Sequence, residues 1–518
     1  MKRAPGRGTA FPTRTMAWVV PSRKVMIEQA ESIATGMPAA VPSGGVELNG
    51  LNLIAEDERK GIPSDLFWPW FAANISVLGV SYGSFLLDFG ISFAQATGVA
   101  IAGIVVSYLF CGWISLAGKR GSAPTLTLSR AAFGVYGNRL PSLVSWLITV
   151  GWETVLASLA VLATSTVFGE LGLGGGVITQ IIALIVVVLL VVGGGIYGFT
   201  VIMRLQTAIA IVTGILTIVY IALALGHVDF AAVTAVPGGS VQQMLGAFVF
   251  MMTGFGLGWV QAAADYSRYL PRTASGKGVV AWTTFGASVA PTILVIFGLL
   301  LAASSAGLGD AIGRDPIGAL TTILPTWFLV PFAIVAVLGL IGGAVLDIYS
   351  SGIALMSTGL RIPRPVAAAV DGVIMLGGSI YIVFFAGRFI DTFQAFLITL
   401  GTPIASWCGI FLADLGLRRR DYADSDLFDA RGRYGHVNLL SITLLVVGTG
   451  LGWGLVTNPM TGVATMNWLG YLLEPFGLGG RSGAWAGANL GVLVALAVGY
   501  LGMLVFGRRR VRAQESGS

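Results

Sequence analysis

The chain has 518 residues, of which 55% are hydrophobic and only 10% charged, with a mean hydropathy of +0.84. Soluble proteins carry about 25% charged residues, so the composition excludes a water-soluble enzyme and points to an integral membrane protein. The 73 glycines suit helices that approach one another at small residues, and the formal charge of +6 gains meaning only on a topology.

Residues 1–65 hold no run long enough to span a bilayer. They mix Pro, Gly and charged residues, among them Glu56, Asp57, Glu58, Arg59 and Lys60, and read as a cytoplasmic N-terminal tail. The first apolar run is too long and too far along the chain for a signal peptide. From Leu66 onward, spanning-length apolar runs recur at about 66–91, 94–117, 140–168, 176–198, 203–226, 241–264, 278–304, 328–358, 366–386, 390–414, 437–457 and 484–507. We number these helices 1 to 12. They predict a transmembrane domain over 66–507 and a cytoplasmic C-terminal tail over 508–518.

An even count puts both termini on one side. With the termini and the even-to-odd loops in the cytoplasm, only Arg314, Arg388 and Arg481 of the 30 lysines and arginines fall outside, as the positive-inside rule requires. We therefore expect a multi-pass protein of the plasma membrane with both termini cytoplasmic. Cys111 and Cys408 sit in apolar runs and read as core residues. His227 and His436 are the only histidines, which leaves no histidine cluster for a metal.

The most informative stretch is Gly254 to Arg272, in helix 6 and its exit. Gly254, Gly256 and Gly258 at alternate positions each cost a helix roughly 1 kcal/mol relative to alanine, so a break is expected there. It would present Trp259 and Gln261 to a solute. Asp265 and Arg268 follow near the cytoplasmic end and are assigned to gate or loop geometry. Helix 1 carries a second interrupted segment, Asn74 to Ser84, with Gly79, Ser81 and Gly83. Interrupted helices at matching positions of two halves point to a transporter site. Helices 1–5 (about 66–226) and 6–10 (about 241–414) then form inverted repeats, with helices 11 and 12 appended (about 437–507). Gly79-Val-Ser81-Tyr-Gly83 also fits G-x-S-x-G, but that motif needs a strand-to-helix elbow and a histidine partner, and neither is present in an apolar helix.

Two carboxylates fall mid-helix, Glu153 on helix 3 and Asp347 on helix 8. Charges at such depth face the bundle interior and mark substrate or proton paths. With no lysine or arginine at that depth, both are candidates for proton or cation coupling, and Asp347, beside Tyr349, Ser350 and Ser351, also for substrate binding. Trp152 and Trp259, each beside a buried charge or a break, are the expected recognition aromatics. A flat heterocycle gains roughly 1–3 kcal/mol per stacked face.

These motifs resemble the nucleobase–cation symporters of the purine–cytosine permease family. The resemblance rests on Glu58-Arg59-Lys60-Gly61-Ile62, Trp70-Phe71-Ala-Ala-Asn74 with Ser81 and Gly83, Gly151-Trp152, and Gly258-Trp259 followed by Asp265-Tyr-Ser-Arg268-Tyr-Leu-Pro271. Asp347-Ile-Tyr349-Ser350, Pro403 with Asp414, the Arg418 to Arg420 run and Tyr434-Gly435-x-x-Asn438 support it. It implies an all-α leucine-transporter-type fold with helices 1 and 6 broken. It also implies alternating access, and a nucleobase or related heterocycle bound between helices 1, 3, 6 and 8. Carried over, Trp152 and Trp259 border the ring, and Ser81, Gly83, Gly258, Gln261 and Asp347 complete the site. Three departures stand out. An amide common after the helix 3 tryptophan is Leu156 here. A helix 8 asparagine is Gly343. A hydroxyl pair of sodium-dependent relatives falls on Ile341 and Gly342. The expected partners are thus a small heterocyclic substrate, a coupling cation (H+ ahead of Na+) and the lipid bilayer, with no cofactor and no nucleic acid. A vitamin-type (thiamine- or pyridoxine-like) or amino-acid carrier on the same fold is the alternative, and an enzyme is not expected.

Overall fold

The structure, a computed structural model, describes residues 53–197, 199–360, 362–458 and 468–516. Most of the expected N-terminal tail lies outside the described residues. Among those residues, nine helices are long and apolar enough to cross a membrane. Two bent helices bring the number to eleven, and a shorter apolar helix, Leu439–Trp453, is the remaining candidate. All twelve fall where the apolar runs predict them.

Helix 1 is in two pieces, Phe67–Asn74 and Leu78–Leu87. Helices 2 to 5 are Phe93–Arg120, Arg139–Glu170, Val177–Tyr197 and Phe199–Ala224. Helix 6 begins as Val241–Gly254 and continues as short turns to Tyr269. Helices 7 to 10 are Gly276–Ser304, Thr326–Ser357, Arg364–Phe384 and Phe389–Leu417, and helix 12 is Leu490–Phe506. Helices 1, 2, 6 and 7 pack into one group and helices 3, 4, 8 and 9 into another, with helix 10 against helices 3 and 12. Each group takes one helix pair from each half of the chain.

Local chemistry sets several boundaries. Ser92 and Gln95 form a capping box at the start of helix 2, and Ser240 with Gln243 does the same for helix 6. The two starts are tied together, because the Gln95 side-chain amide donates to the Gly239 carbonyl (2.9 Å). Helix 12 starts later than the hydropathy predicts, at Leu490, because the chain before it runs through a 3-10 turn and a left-handed Asn489 (φ 51°).

Close approach explains one glycine pair. A Cβ on Gly83 would collide with helix 7 backbone at Val295, Gly298 and Leu299, and one on Gly298 would collide with the Val80 carbonyl. Helices 1 and 7 therefore meet backbone to backbone, which only small residues allow.

Candidate functional site

Helix 6 leaves helical geometry at Phe255 (φ −115°, ψ −107°), between Gly254 and Gly256. Freed backbone groups inside a bilayer need protein or water partners, and here neighbouring helices supply them. Tyr82 donates its hydroxyl to the Gly254 carbonyl (3.2 Å), and its ring lies 4.5 Å from that of Phe255. The Gly256 N–H donates to Ser107 Oγ (3.0 Å), and Cys111 Sγ donates to the Gly256 carbonyl (3.2 Å). Helix 2 thus holds both polar groups of the central glycine. Cys111 and Cys408 are buried free thiols, as expected of core residues.

The break in helix 1 lies at Ile75 (φ −84°, ψ 87°), and the helix that carries the first piece is bent by 68° from the second. Asn74 causes it. Its amide donates back to the Trp70 carbonyl (2.8 Å), while its oxygen accepts from the Tyr108 hydroxyl, a side-chain competition that favours leaving the helix. Gly79, Ser81 and Gly83 were expected at the break and instead sit inside the regular helix Leu78–Leu87. Ser81 is fully buried and donates to the Pro316 carbonyl (2.6 Å), and Gly83 is closed off by helix 7. Both are committed to packing rather than presented at an open break.

Between the two breaks the aromatics gather. A Cβ on Gly258 would lie 3.5 Å from Trp152 Nε1, so the helix 3 tryptophan lies against the unwound part of helix 6. Trp259 packs edge-on to Trp70 at 6.1 Å, and Trp152 packs edge-on to Phe393 and Phe396 of helix 10 at 5.5 and 5.9 Å. Two buried polar atoms here have no protein partner, Trp70 Nε1 and Gln261 Oε1. The Gln261 amide meanwhile donates to the Gly258 carbonyl (2.6 Å). Aromatic walls with a few unpaired polar atoms are the chemistry of a site for a flat polar solute.

The carboxylates come from helices 3, 8 and 9. Glu153 is fully buried, and its oxygens lack a partner of full hydrogen-bond geometry because the neighbouring Ser351 hydroxyl is directed to Asp371. Its electrostatic neighbours are Ser351, Asp371 and Asp347, and Asp347 in turn neighbours Tyr266 at the helix 6 exit. Asp371, on helix 9, accepts from Trp146 Nε1 (2.7 Å) and from Ser351 Oγ (2.6 Å). Sequence reasoning passed over Asp371. Its signal was a lone carboxylate seven residues into an apolar helix.

Leu156 and Gly343 face each other. A Cβ on Gly343 would lie 3.0 Å from Leu156 Cδ1, so the leucine occupies the space that a helix 8 side chain would use.

The exit of helix 6 forms a clasp. Asp265 accepts from the Thr125 N–H and hydroxyl (2.8 and 2.7 Å), and Arg268 stacks over Tyr269. Arg59 donates to the carbonyls of Leu270 (2.7 Å) and Lys119 (2.6 Å) and to Ser122 Oγ (2.7 Å). Burial, and next Arg272, lowers the pKa of the Arg59 guanidinium from its ordinary value. The two most recognisable motifs of the sequence, Glu58 to Ile62 and Asp265 to Pro271, are therefore one structural unit. At the other end of the molecule a cavity of about 620 Å³ is lined by Ser165, Thr166, Glu170, Gln180, Arg314 and Asp315, among others. Its lining does not include Trp152, Trp259 or Asp347.

Two discontinuous helices meeting at an aromatic cluster, inside paired inverted repeats, define a secondary transporter. The chain belongs to the family of permeases for cytosine/purines, uracil, thiamine and allantoin, whose model matches residues 53–473. It is a permease and not an enzyme. It is 24% identical over 484 residues to YxlA of Bacillus subtilis, a provisionally assigned purine-cytosine permease, covering 91% of this chain and 98% of that protein. It is likewise 24% identical to the purine-cytosine permease FCY2 of Saccharomyces cerevisiae, over 88% of this chain and 87% of that one. Among solved structures, Mhp1 in an inward-facing conformation superposes with a TM-score of 0.66 at 17% identity, over 92% of this chain and 96% of that one. Mhp1 closed around bromovinylhydantoin gives 0.62, over 91% and 99%. These superpositions establish the fold.

Proposed function

We propose that this permease imports a nucleobase, cytosine- or purine-like, or a related nitrogen heterocycle, in symport with a proton and by alternating access. The observation that carries the substrate reading is Trp152 lying against the unwound Gly258–Trp259 segment, where a flat ring can stack while unpaired polar atoms meet its edge. Gly258, Trp259 and Gln261 form the helix 6 wall and Asp347 the helix 8 side. A carboxylate only accepts hydrogen bonds. With Leu156 and Gly343 in place of amides, Asp347 favours a donor-rich or cationic ring such as an aminopyrimidine. The same acceptor supports a thiamine-type cation as the second reading.

For coupling, Glu153 and Asp347 are the carriers, with Asp371 and Ser351 leading from them into helix 9. Removing an unpaired charge from water costs several kcal/mol, so a proton is the natural partner for the two bare oxygens of Glu153. Ile341 and Gly342, where sodium-dependent relatives place hydroxyls, offer a sodium ion no side-chain ligand. Asp265 and Arg268 serve the clasp at the helix 6 exit rather than the substrate. We place the protein in the plasma membrane with both termini in the cytoplasm.

Uptake of radiolabelled cytosine by cells expressing the protein, competed by purines, pyrimidines, thiamine, pyridoxine and amino acids, tests the substrate class. Competition by amino acids alone overturns the heterocycle reading. A protonophore should abolish uptake, and replacing sodium should leave it unchanged. Strict dependence on sodium overturns the coupling assignment.

A further inference from the structure

The C-terminal segment, expected as a tail, forms a helix, Arg508–Ser516, bent by 56° from helix 12 at Gly507. One face of it is built into the protein. Val511 and Gln514 are buried, and Gln514 accepts from Arg418 (2.6 Å) and donates to the Ala131 carbonyl (3.2 Å). Arg418 is itself paired with Asp414 at 2.6 Å. Glu515 accepts the backbone N–H groups of Arg419 and Arg420 (2.7 and 2.8 Å). The terminal helix is thus locked under the end of helix 10.

Beside this docked helix an open surface cavity of about 420 Å³ is lined by Gly416, Leu417, Arg419, Arg508, Arg512 and Glu515, its three arginines exposed. Three arginines and one glutamate thus line the depression, and the glutamate accepts two backbone N–H groups. The side chains of Arg419 and Arg512 make no hydrogen bond or ion pair among the described residues, and Arg508 donates only to the Leu504 carbonyl of its own helix (2.8 Å). The positive-inside rule accounts for arginines at a helix end, but not for three of them lining one depression, two without a side-chain partner. Leu501, Val505, Arg508 and Arg512 recur at helical spacing. The first two are 57% and 60% exposed on the last turns of helix 12, just before the bend that leads to the arginines.

We propose that this cavity binds the phosphate headgroup of an anionic phospholipid, with its acyl chains along Leu501 and Val505. Forked guanidinium donors match phosphate oxygens, and basic pockets at the boundary between helices and water take such headgroups. The assignment rests on the membrane placement of helix 12 and not on the transported substrate.

The test is native mass spectrometry of the purified full-length protein incubated with cardiolipin, phosphatidylglycerol or phosphatidylcholine, with inorganic phosphate as a competitor. Wild type should retain the two anionic lipids and not phosphatidylcholine. Arg508→Gln with Arg512→Gln should weaken retention about thirtyfold, Arg512→Gln alone less, and Arg509→Gln, which lies outside the cavity, not at all. Retention by the double variant equal to wild type overturns the site, as does retention by Arg512→Gln equal to wild type if the double variant does not fold. Displacement by millimolar inorganic phosphate assigns the cavity to the free anion and overturns the lipid. Substrate uptake is not the readout, so failure here leaves the transport reading untouched.

Discussion

Trp152 and Glu153 are adjacent in sequence and divide the work of helix 3 between two faces. Trp152 turns to helix 10 and the break in helix 6, and Glu153 to helices 8 and 9. Replacing either Trp152 or Trp259 with alanine removes one stacking face, worth roughly 1–3 kcal/mol. Substrate affinity should fall roughly 5- to 150-fold, read as a raised KM in uptake and a lost thermal shift on ligand addition. Normal uptake in both variants removes the site. Glu153→Gln keeps the shape and abolishes titration. It should eliminate proton-driven accumulation while preserving exchange of labelled for unlabelled substrate, and Asp371→Asn should do the same more weakly. Equal loss of exchange and accumulation would assign these residues to the substrate instead. Glu153 and Asp347 were legible because a single carboxylate in a long apolar run has few explanations. Tyr82 and Trp70 were not, since aromatics abound in such helices and their partners, Gly254 and Trp259, lie 172 and 189 positions away.

Helices 1 and 6 break for different reasons, and legibility followed the reason. The helix 6 break is written locally in Gly254, Gly256 and Gly258, so it could be read directly. That of helix 1 depends on Asn74 meeting Tyr108 of helix 2, a tertiary contact, so the glycines nearby misdirected the reading to Gly79 and Gly83. Those glycines serve helix packing. Gly83→Ala forces helices 1 and 7 apart against backbone that cannot rotate away, costing roughly 1–3 kcal/mol or more. It should lower the melting temperature and the monodisperse fraction on size exclusion. Gly98→Ala in helix 2, where a Cβ meets nothing within 4 Å, should leave both unchanged. Equal behaviour of the two variants would contradict the close approach of helices 1 and 7.

At the scale of the whole molecule, hydropathy and charge predicted twelve helices, and the described residues hold nine spanning helices, two bent ones and the shorter Leu439–Trp453 at those places. Which helices pack together was not in the hydropathy and came with the structure. The orientation can be read with thiol chemistry. Cys111 and Cys408 are buried and give a quiet background for an impermeant maleimide. Leu173→Cys, in the exposed loop between helices 3 and 4, should label in intact cells. Ser516→Cys should label only after permeabilisation, and the reverse pattern would invert the topology.

The contact between Leu156 and Gly343 bears on how such a permease changes its cargo over evolutionary time. A methyl at position 343 needs only a small shift of the leucine tip, whereas an asparagine needs the leucine to leave. Introducing Gly343→Asn first should produce a crowded, poorly expressed variant, and shrinking Leu156 first should not. The order of the two substitutions therefore matters, set by a separation of 3.0 Å between a leucine methyl and the place where a side chain would begin.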